Sequence, residues 1–186
     1  MDFLPALITG GLGMVRVAKA GWKAGARGLA KQAIKNTDEL VHFYHGTSVA
    51  DAANIRANGI NLSFGNRGAD FGRGFYMSTS REIAEAAGRR LYPDVEVLQF
   101  SVSRAQLQSL SGLHFDSPSA NWADFTRFHK TFGPEDLMHG GTPYDFVSGP
   151  MVRRIRKTHE VLHWQGSSQF SIHTDAAVNL FNAGLR

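Results

Sequence analysis

The rhythm of apolar and polar positions changes several times along this chain. From Met14 to Lys35, the basic residues Arg16, Lys19, Lys23, Arg27, Lys31 and Lys35 recur every three or four positions, with Val15, Val17, Trp22, Leu29 and Ile34 among them. That spacing predicts an amphipathic helix with one basic face. The run Val95 to Val102 alternates in part, as a sheet strand does. Further short strands are predicted at Val41–His45, Phe75–Ser78, Tyr144–Val147, Met151–Arg156 and Phe170–His173. Helices are predicted over residues 48–58, with Ser48 as N-cap and Gly59 past the end, and from Ser80 to about Arg90. Three more are expected: Ser103 to Leu110, an aromatic-rich stretch over residues 118–132, and a terminal helix from Asp175. A glycine-rich loop spans Ser63 to Gly74. Short strands interspersed with helices predict an α+β fold.

Charge sharpens the division of the chain. The net charge is +4 and the sequence pI about 9.6. Residues 1–36 hold the six basic groups named above against one acid, Asp2, so they carry the excess and the remainder is close to neutral. We therefore read residues 1–36 as a basic linker with an N-terminal helix, and residues 37–186 as the domain proper. The whole chain is 42% hydrophobic and 19% charged, so a packed core is expected. No apolar run approaches the roughly 18 residues that a membrane-spanning helix needs.

Several chemistries lack their residues. The chain has no cysteine, which removes disulfides, thiolate metal sites and a Cys nucleophile. Ile8-Thr9-Gly10-Gly11-Leu12-Gly13 has the look of a dinucleotide-binding turn, but Arg16 stands where a third glycine is required and no strand precedes it. There is no phosphate-binding P-loop. His159 and His163 are four apart but fall in a loop-to-strand region, so no metal is expected.

Three fragments remain that carry chemistry in a fixed order: Tyr44-His45-Gly46-Thr47, then Asp70-Phe71-Gly72-Arg73-Gly74-Phe75-Tyr76-Met77-Ser78-Thr79, then Ser168-Gln169-Phe170-Ser171-Ile172-His173-Thr174. Together they resemble the ADP-ribosyltransferases of the diphtheria-toxin and poly(ADP-ribose) polymerase kind, over about residues 40–180. Members of that family have a His-Gly on the first core strand, a Gly-x-Gly-x-Tyr on the next and a Glu on a late strand, all around NAD⁺. The likeness is greatest to bacterial members with Gln at the late position. It implies two small packed sheets, antiparallel and mixed, with flanking helices.

The resemblance also implies roles. His45 would bind a hydroxyl of the adenine-side ribose, which a neutral imidazole can do. Gly46 would let the backbone approach the nicotinamide carboxamide, beside Thr47. Tyr76 would stack on the nicotinamide ring, since a flat aromatic face suits a cationic pyridinium. Gly72 and Gly74 would keep the loop backbone close to the cofactor, and Ser78 would help hold the carboxamide. Breaking the nicotinamide–ribose bond develops positive charge on the ribose carbon, so an acceptor beside it favours the transition state. In the family that acceptor is a glutamate. Here it is Gln169, which accepts but carries no charge, with Glu160 and Asp70 as alternative sources of charge. If Gln169 acts only as an acceptor, Gln169→Glu keeps or raises turnover.

The expected activity is mono-ADP-ribosyl transfer from NAD⁺ to a macromolecule. The alternatives are NAD⁺ hydrolysis, or an inactive module that binds NAD⁺ or ADP-ribose. The stretch before the late strand contains Trp164 and Gln165, after a basic cluster of Arg153, Arg154, Arg156 and Lys157. Read as a loop with an exposed aromatic, it suggests phosphate contact and base stacking, hence RNA as first acceptor and protein as second. Arginine is disfavoured as acceptor, because Ser167 stands where arginine-modifying relatives have Glu or Gln. A short transferase domain after a Gly/Ala/Lys linker resembles the C-terminal toxin of a polymorphic, Rhs-like bacterial effector. The implied setting is delivery by a larger parent into the cytoplasm of a rival cell, with an immunity protein as partner.

Overall fold

A computed structural model of the chain describes residues 39–66, 68–132 and 144–186. The helix expected over Met14–Lys35 lies outside the described residues.

Two small sheets form the frame, with helices flanking them, in an α+β arrangement. The first sheet pairs β1 (Leu40–Ser48) with β3 (Val95–Ser103), antiparallel along their whole length, from Leu40 opposite Ser103 to Ser48 opposite Val95. The second sheet is mixed. It runs β2 (Phe75–Met77), β6 (Val161–Ile172), β5 (Phe146–Ile155), β4 (Gly112–His114), with β4 parallel to β5 and the other pairs antiparallel. A single bridge joins the sheets: Tyr44 N–H donates to the Ser78 carbonyl at 2.7 Å, and Ser78 N–H donates back to the Tyr44 carbonyl at 2.9 Å. The end of β2 is thereby held against the middle of β1.

Polar side chains begin the helices where the sequence placed them. Ser48 accepts from Asp51 N at 3.0 Å to start α1 (Val49–Asn58), and Gly59 follows it at a φ of 81°. Ser80 accepts from Ile83 N at 3.2 Å to start α2 (Arg81–Gly88). Ser103 and Gln106 form a capping box at α3 (Arg104–Gln108), and Thr174 caps α5 (Asp175–Ala183). Each such cap contributes about 1 kcal/mol. Between α3 and α5 in the chain lies α4 (Ala120–Phe132).

The main core fills the space between the sheets and under α5. Phe43 sits 4.5 Å from Phe170 and 5.1 Å from Phe181, ring to ring, with Leu98, Phe100, Val102 and Ile172 also fully buried. A second cluster forms where α4 covers the mixed sheet, around Phe71, Trp122 and Val147. Trp122 donates its indole N–H to the Pro150 carbonyl at 3.1 Å, as a buried indole must find an acceptor.

Four expectations are corrected. The strands expected at Tyr144–Val147 and Met151–Arg156 are one strand, β5. Gly149 and Pro150 do not break it, because both pair with β6, opposite Gln169 and Ser168. The late strand is twelve residues long rather than the four from Phe170. Trp164 and Gln165 accordingly belong to β6 and not to a preceding loop. They stand where the ladder slips: Ser168 pairs with Pro150 and His163 with Val152, so Trp164–Ser167 bulge opposite Met151 alone. Finally, β4 was not foreseen, since three residues that are mostly exposed give no alternation to read. No described helix is long and apolar enough to cross a membrane.

Candidate functional site

The Tyr44–Ser78 bridge opens a cleft at the seam between the sheets. It has two compartments that share His45, Tyr76 and Leu91 as a common wall. The smaller, of about 160 Å³, is mainly apolar and runs between β1, β2, α2 and β6, with Met77, Ile83, Ala84, Met151 and Gln169 among its walls. The larger, of about 400 Å³, is polar at its far side, where Asp51, Asn54, Asn61 and Asn66 face it, and Phe64 and Tyr92 stand at its mouth. No described residue lining either compartment is a lysine or arginine.

His45 falls on the same face of β1 as Phe43 and Thr47, because strand positions alternate. Its ring lies 4.2 Å from the ring of Phe75. Nδ1 is 2.7 Å from the Tyr76 carbonyl. A carbonyl only accepts, so Nδ1 carries the proton and Nε2 is left as an acceptor. Burial holds the imidazole below the ordinary histidine range, against the opposing pull of the Tyr76 carbonyl and of Asp51. The residue is thus a neutral acceptor at physiological pH.

Tyr76 is tied at its far end. Its hydroxyl donates to the Gly72 carbonyl at 2.7 Å and accepts from Phe71 N at 2.8 Å. Burial pushes the phenol up, so it stays protonated. The ring is fixed as a wall of both compartments, and the hydroxyl is occupied by the loop.

The glycines of the motifs serve the fold before any ligand. A Cβ on Gly46 would sit 2.0 Å from the Ala84 carbonyl oxygen, so glycine is what lets α2 pack on β1. Gly72 has a φ of 86°, and a Cβ there would meet His129 Nδ1 at 2.6 Å. Gly72 lines neither compartment and packs on His129 instead, while its carbonyl accepts from the Tyr76 hydroxyl. Gly74 does line the larger one, and is wedged against the Ile172 carbonyl and the His173 ring.

Gln169 reaches the smaller compartment from β6. Tyr76 pairs with Ser171, two positions along the same strand, so Tyr76 and Gln169 share one face of the sheet. Gln169 Nε2 donates to Asp70 Oδ2 at 2.7 Å, and the same oxygen accepts from Val152 N at 2.9 Å. Asp70 Oδ1 pairs with Lys130 Nζ of α4 at 2.8 Å. Ser78 is buried in the smaller compartment, where its hydroxyl accepts from Ser80 N at 3.1 Å. Thr47 is buried against the larger one.

The fold and its cleft fall mostly within one recognisable block. A family model described as protein of unknown function (DUF3990) matches residues 41–154. The chain belongs to that family. No curated protein matches the chain. The family block includes His45, Gly46, Asp70, Tyr76, Ser78 and Met151, and it ends before β6 and Gln169.

The remaining expected residues divide. Glu160 sits in the β5–β6 turn, exposed and paired with Arg156 at 2.8 Å, so it does not join the cleft. Arg153 and Arg154 are exposed on β5, past Met151. Trp164 is not the exposed aromatic expected. It is half-buried, and the guanidinium groups of Arg90 and Arg153 lie 4.7 and 5.2 Å from its ring centre. Sequence reasoning missed Lys130, Met151 and Arg90. Nothing local marks them, since each meets its partner only through packing of α4, β5 and the turn after α2. Among the described residues, no group of three or more His, Asp or Glu is placed to hold a metal ion.

Proposed function

We propose that this chain is an NAD⁺-dependent mono-ADP-ribosyltransferase. The observation that carries the reading is the meeting of His45, Tyr76 and Gln169, from three separate strands, at the walls of one two-compartment cleft. The motif order suggested such a site, and the geometry supports it. Nicotinamide suits the smaller, apolar compartment, against the Tyr76 ring and beside the Gly46 backbone and Ser78 hydroxyl. The adenosine side suits the larger, polar compartment, with a ribose hydroxyl donating to His45 Nε2.

The C–N bond between ribose and nicotinamide breaks, and its electron pair leaves with nicotinamide. The ribose carbon passes through an oxocarbenium-like state, which the Gln169 amide oxygen stabilises as an acceptor. A nucleophile of the acceptor molecule bonds to that carbon from the face opposite nicotinamide, and its proton passes to solvent. Water in place of that nucleophile gives the hydrolytic alternative. The absence of formal charge at Gln169 favours the other alternative, a module that binds NAD⁺ or ADP-ribose without turning it over. Incubation with labelled NAD⁺ separates the three. Label on a macromolecule supports transfer, free ADP-ribose alone supports hydrolysis, and binding without nicotinamide release supports the module.

RNA is the acceptor we place first, and protein second. Arg153, Arg154, Arg156 and Lys157 are exposed beyond Met151, and the Trp164–Ser167 bulge stands opposite that residue. Cationic side chains beside the cleft suit a phosphate backbone. Label in cell extract that survives RNase and disappears with protease excludes RNA. On this reading the protein is the toxic end of a larger bacterial effector, acting in the cytoplasm of the target cell and blocked by an immunity protein.

A further inference from the structure

We infer that Asp70 is a positioning residue that holds the Gln169 amide with its oxygen toward the cleft. This rests on the transferase reading for its catalytic consequence, but not for its geometry. Asp70 leaves the glycine-rich loop ninety-nine residues before Gln169 and meets it at 2.7 Å. Its carboxylate has two partners of known polarity, Lys130 Nζ on Oδ1 and Val152 N–H on Oδ2, and the Gln169 amide also meets Oδ2. An ionised carboxylate only accepts, so the atom of Gln169 that faces it must be the nitrogen. The second Nε2 contact, 3.4 Å to the Pro150 carbonyl, imposes the same choice. Both amide hydrogens thus point into the protein. Oε1 is turned away from them, and among the described residues it has no hydrogen-bond partner, while the side chain lines the smaller compartment.

An unassisted glutamine can rotate its amide and offer a donor instead, which would oppose a developing cation. Asp70 removes that freedom. A negative partner on the N–H side also draws electron density onto Oε1, as hydrogen-bonded chains polarise one another. Lys130 Nζ pairs with the other carboxylate oxygen, which holds Asp70 in place against the amide. Glutamine is therefore required at position 169 by its neighbour. A glutamate there would set two carboxylates against each other, and one of them would hold a proton.

That requirement reverses the expected sign of Gln169→Glu. A glutamate acting as a simple charged acceptor becomes more effective as it ionises, so turnover relative to the parent rises with pH. A glutamate locked against Asp70 works only while it donates a shared proton to Asp70 Oδ2, so relative turnover falls with pH. Lys130 from α4 faces the pair, and His45 and Tyr76 stand across the compartment.

The test compares the parent with Gln169→Glu from about pH 4 to pH 8, a range that begins at the ordinary glutamate value. It reads thermal unfolding without NAD⁺ and nicotinamide release with it. The expected result is a melting-temperature deficit in the variant that widens as pH rises, with relative turnover falling over the same range. A deficit that does not change with pH overturns the inference, whatever the enzyme does. A widening deficit with no nicotinamide release from either protein keeps the lock and removes the transferase reading. In a second variant, Asp70→Ala, kcat is expected to fall on the order of 10²-fold with KM little changed, because the acceptor loses its orientation and not its presence. An Asp70→Ala protein that folds and turns over at the parent rate overturns the inference as well.

Discussion

The two compartments of the cleft are made in different ways. The smaller is lined mainly by regular elements, β1, β2, α2, β6 and Met151 of β5, with Leu91 the one residue from the segment after α2. Its backbones are pinned by the Tyr44–Ser78 bridge, and its glycine, Gly46, touches the helix so closely that no other residue fits. The larger takes much of its lining from connecting segments, the Asn61–Asn66 turn and Leu91–Tyr92 after α2. Phe64 and Leu91 at its rim are 80% and 74% exposed, which makes them adaptable at little cost to folding. Rigid walls surround the place where chemistry is proposed, and loops surround the place where the rest of the ligand would be recognised. That division matches the general rule that specificity is varied on loops while a scaffold fixes the reacting groups.

The comparison breaks first at Gly46. Gly46→Ala forces β1 and α2 apart, and is expected to cost about 3 kcal/mol of stability by denaturant unfolding, the upper end for an overpacked core. A change within 0.5 kcal/mol would mean that the smaller compartment is as pliable as the larger.

Next comes the shared wall. His45→Ala removes the acceptor Nε2 and leaves the Tyr76 carbonyl without its donor, so nicotinamide release is expected to fall by roughly 10²-fold, with about 1–2 kcal/mol lost from folding. Tyr76→Phe separates ring from hydroxyl. It is expected to cost about 1–3 kcal/mol, because Phe71 N–H and the Gly72 carbonyl lose their partner, while the stacking face and much of the turnover remain. Tyr76→Ala is expected to lose turnover. Nicotinamide release by Tyr76→Ala at the parent rate would take the ring out of the site.

Acid sharpens the picture of the rigid side. His45, His129 and His173 are all held below their usual value by burial, His129 down to about 4 with a contribution from His173. A histidine whose folded value is lowered binds fewer protons folded than unfolded. Its contribution is therefore complete above the unfolded value of about 6.5, and is lost as pH falls through the folded value. Stability is expected to drop between about pH 6.5 and pH 4, and His129→Leu to flatten that drop, as followed by thermal melts. Equal slopes in variant and parent would remove His129 from the acid response.

The smallest effect belongs to the loop side. Phe64→Ala is expected to change stability by less than about 0.5 kcal/mol, since the ring is exposed. It is expected to raise KM for NAD⁺ with kcat unchanged, as lost uniform binding does. A fall in kcat alone would show that the rim takes part in the chemistry.

Much of the frame was legible in the chain because the signals are local. Ser48, Ser80 and Ser103 cap the helices that follow them, and partial alternation over Val95–Val102 marks β3. The His45 and Tyr76 motifs fall on strands in the order expected, but His45 lies within β1, which runs on to Ser48, and not at its end. Local signals also misled. Gly149-Pro150 reads as a break, yet β5 continues through it because β6 supplies the pairing.

The sequence by itself determined that no cysteine chemistry is available, that the fold mixes short strands with capped helices, and that His45, Gly46, Tyr76 and Gln169 stand in one order along the chain. Tertiary structure alone decided what those residues do for one another. It decided that Gly46 yields to the Ala84 carbonyl, that Gly72 faces His129 instead of the cleft, and that Trp164 lies beneath Arg90 and Arg153. Above all, it decided that the amide of Gln169 answers to Asp70 and Lys130. Caps and alternation are read within a few residues, where backbone geometry links neighbours directly. The Asp70–Gln169 contact closes a loop of ninety-nine residues, and its partner is chosen by the packing of α4 and β5 around it.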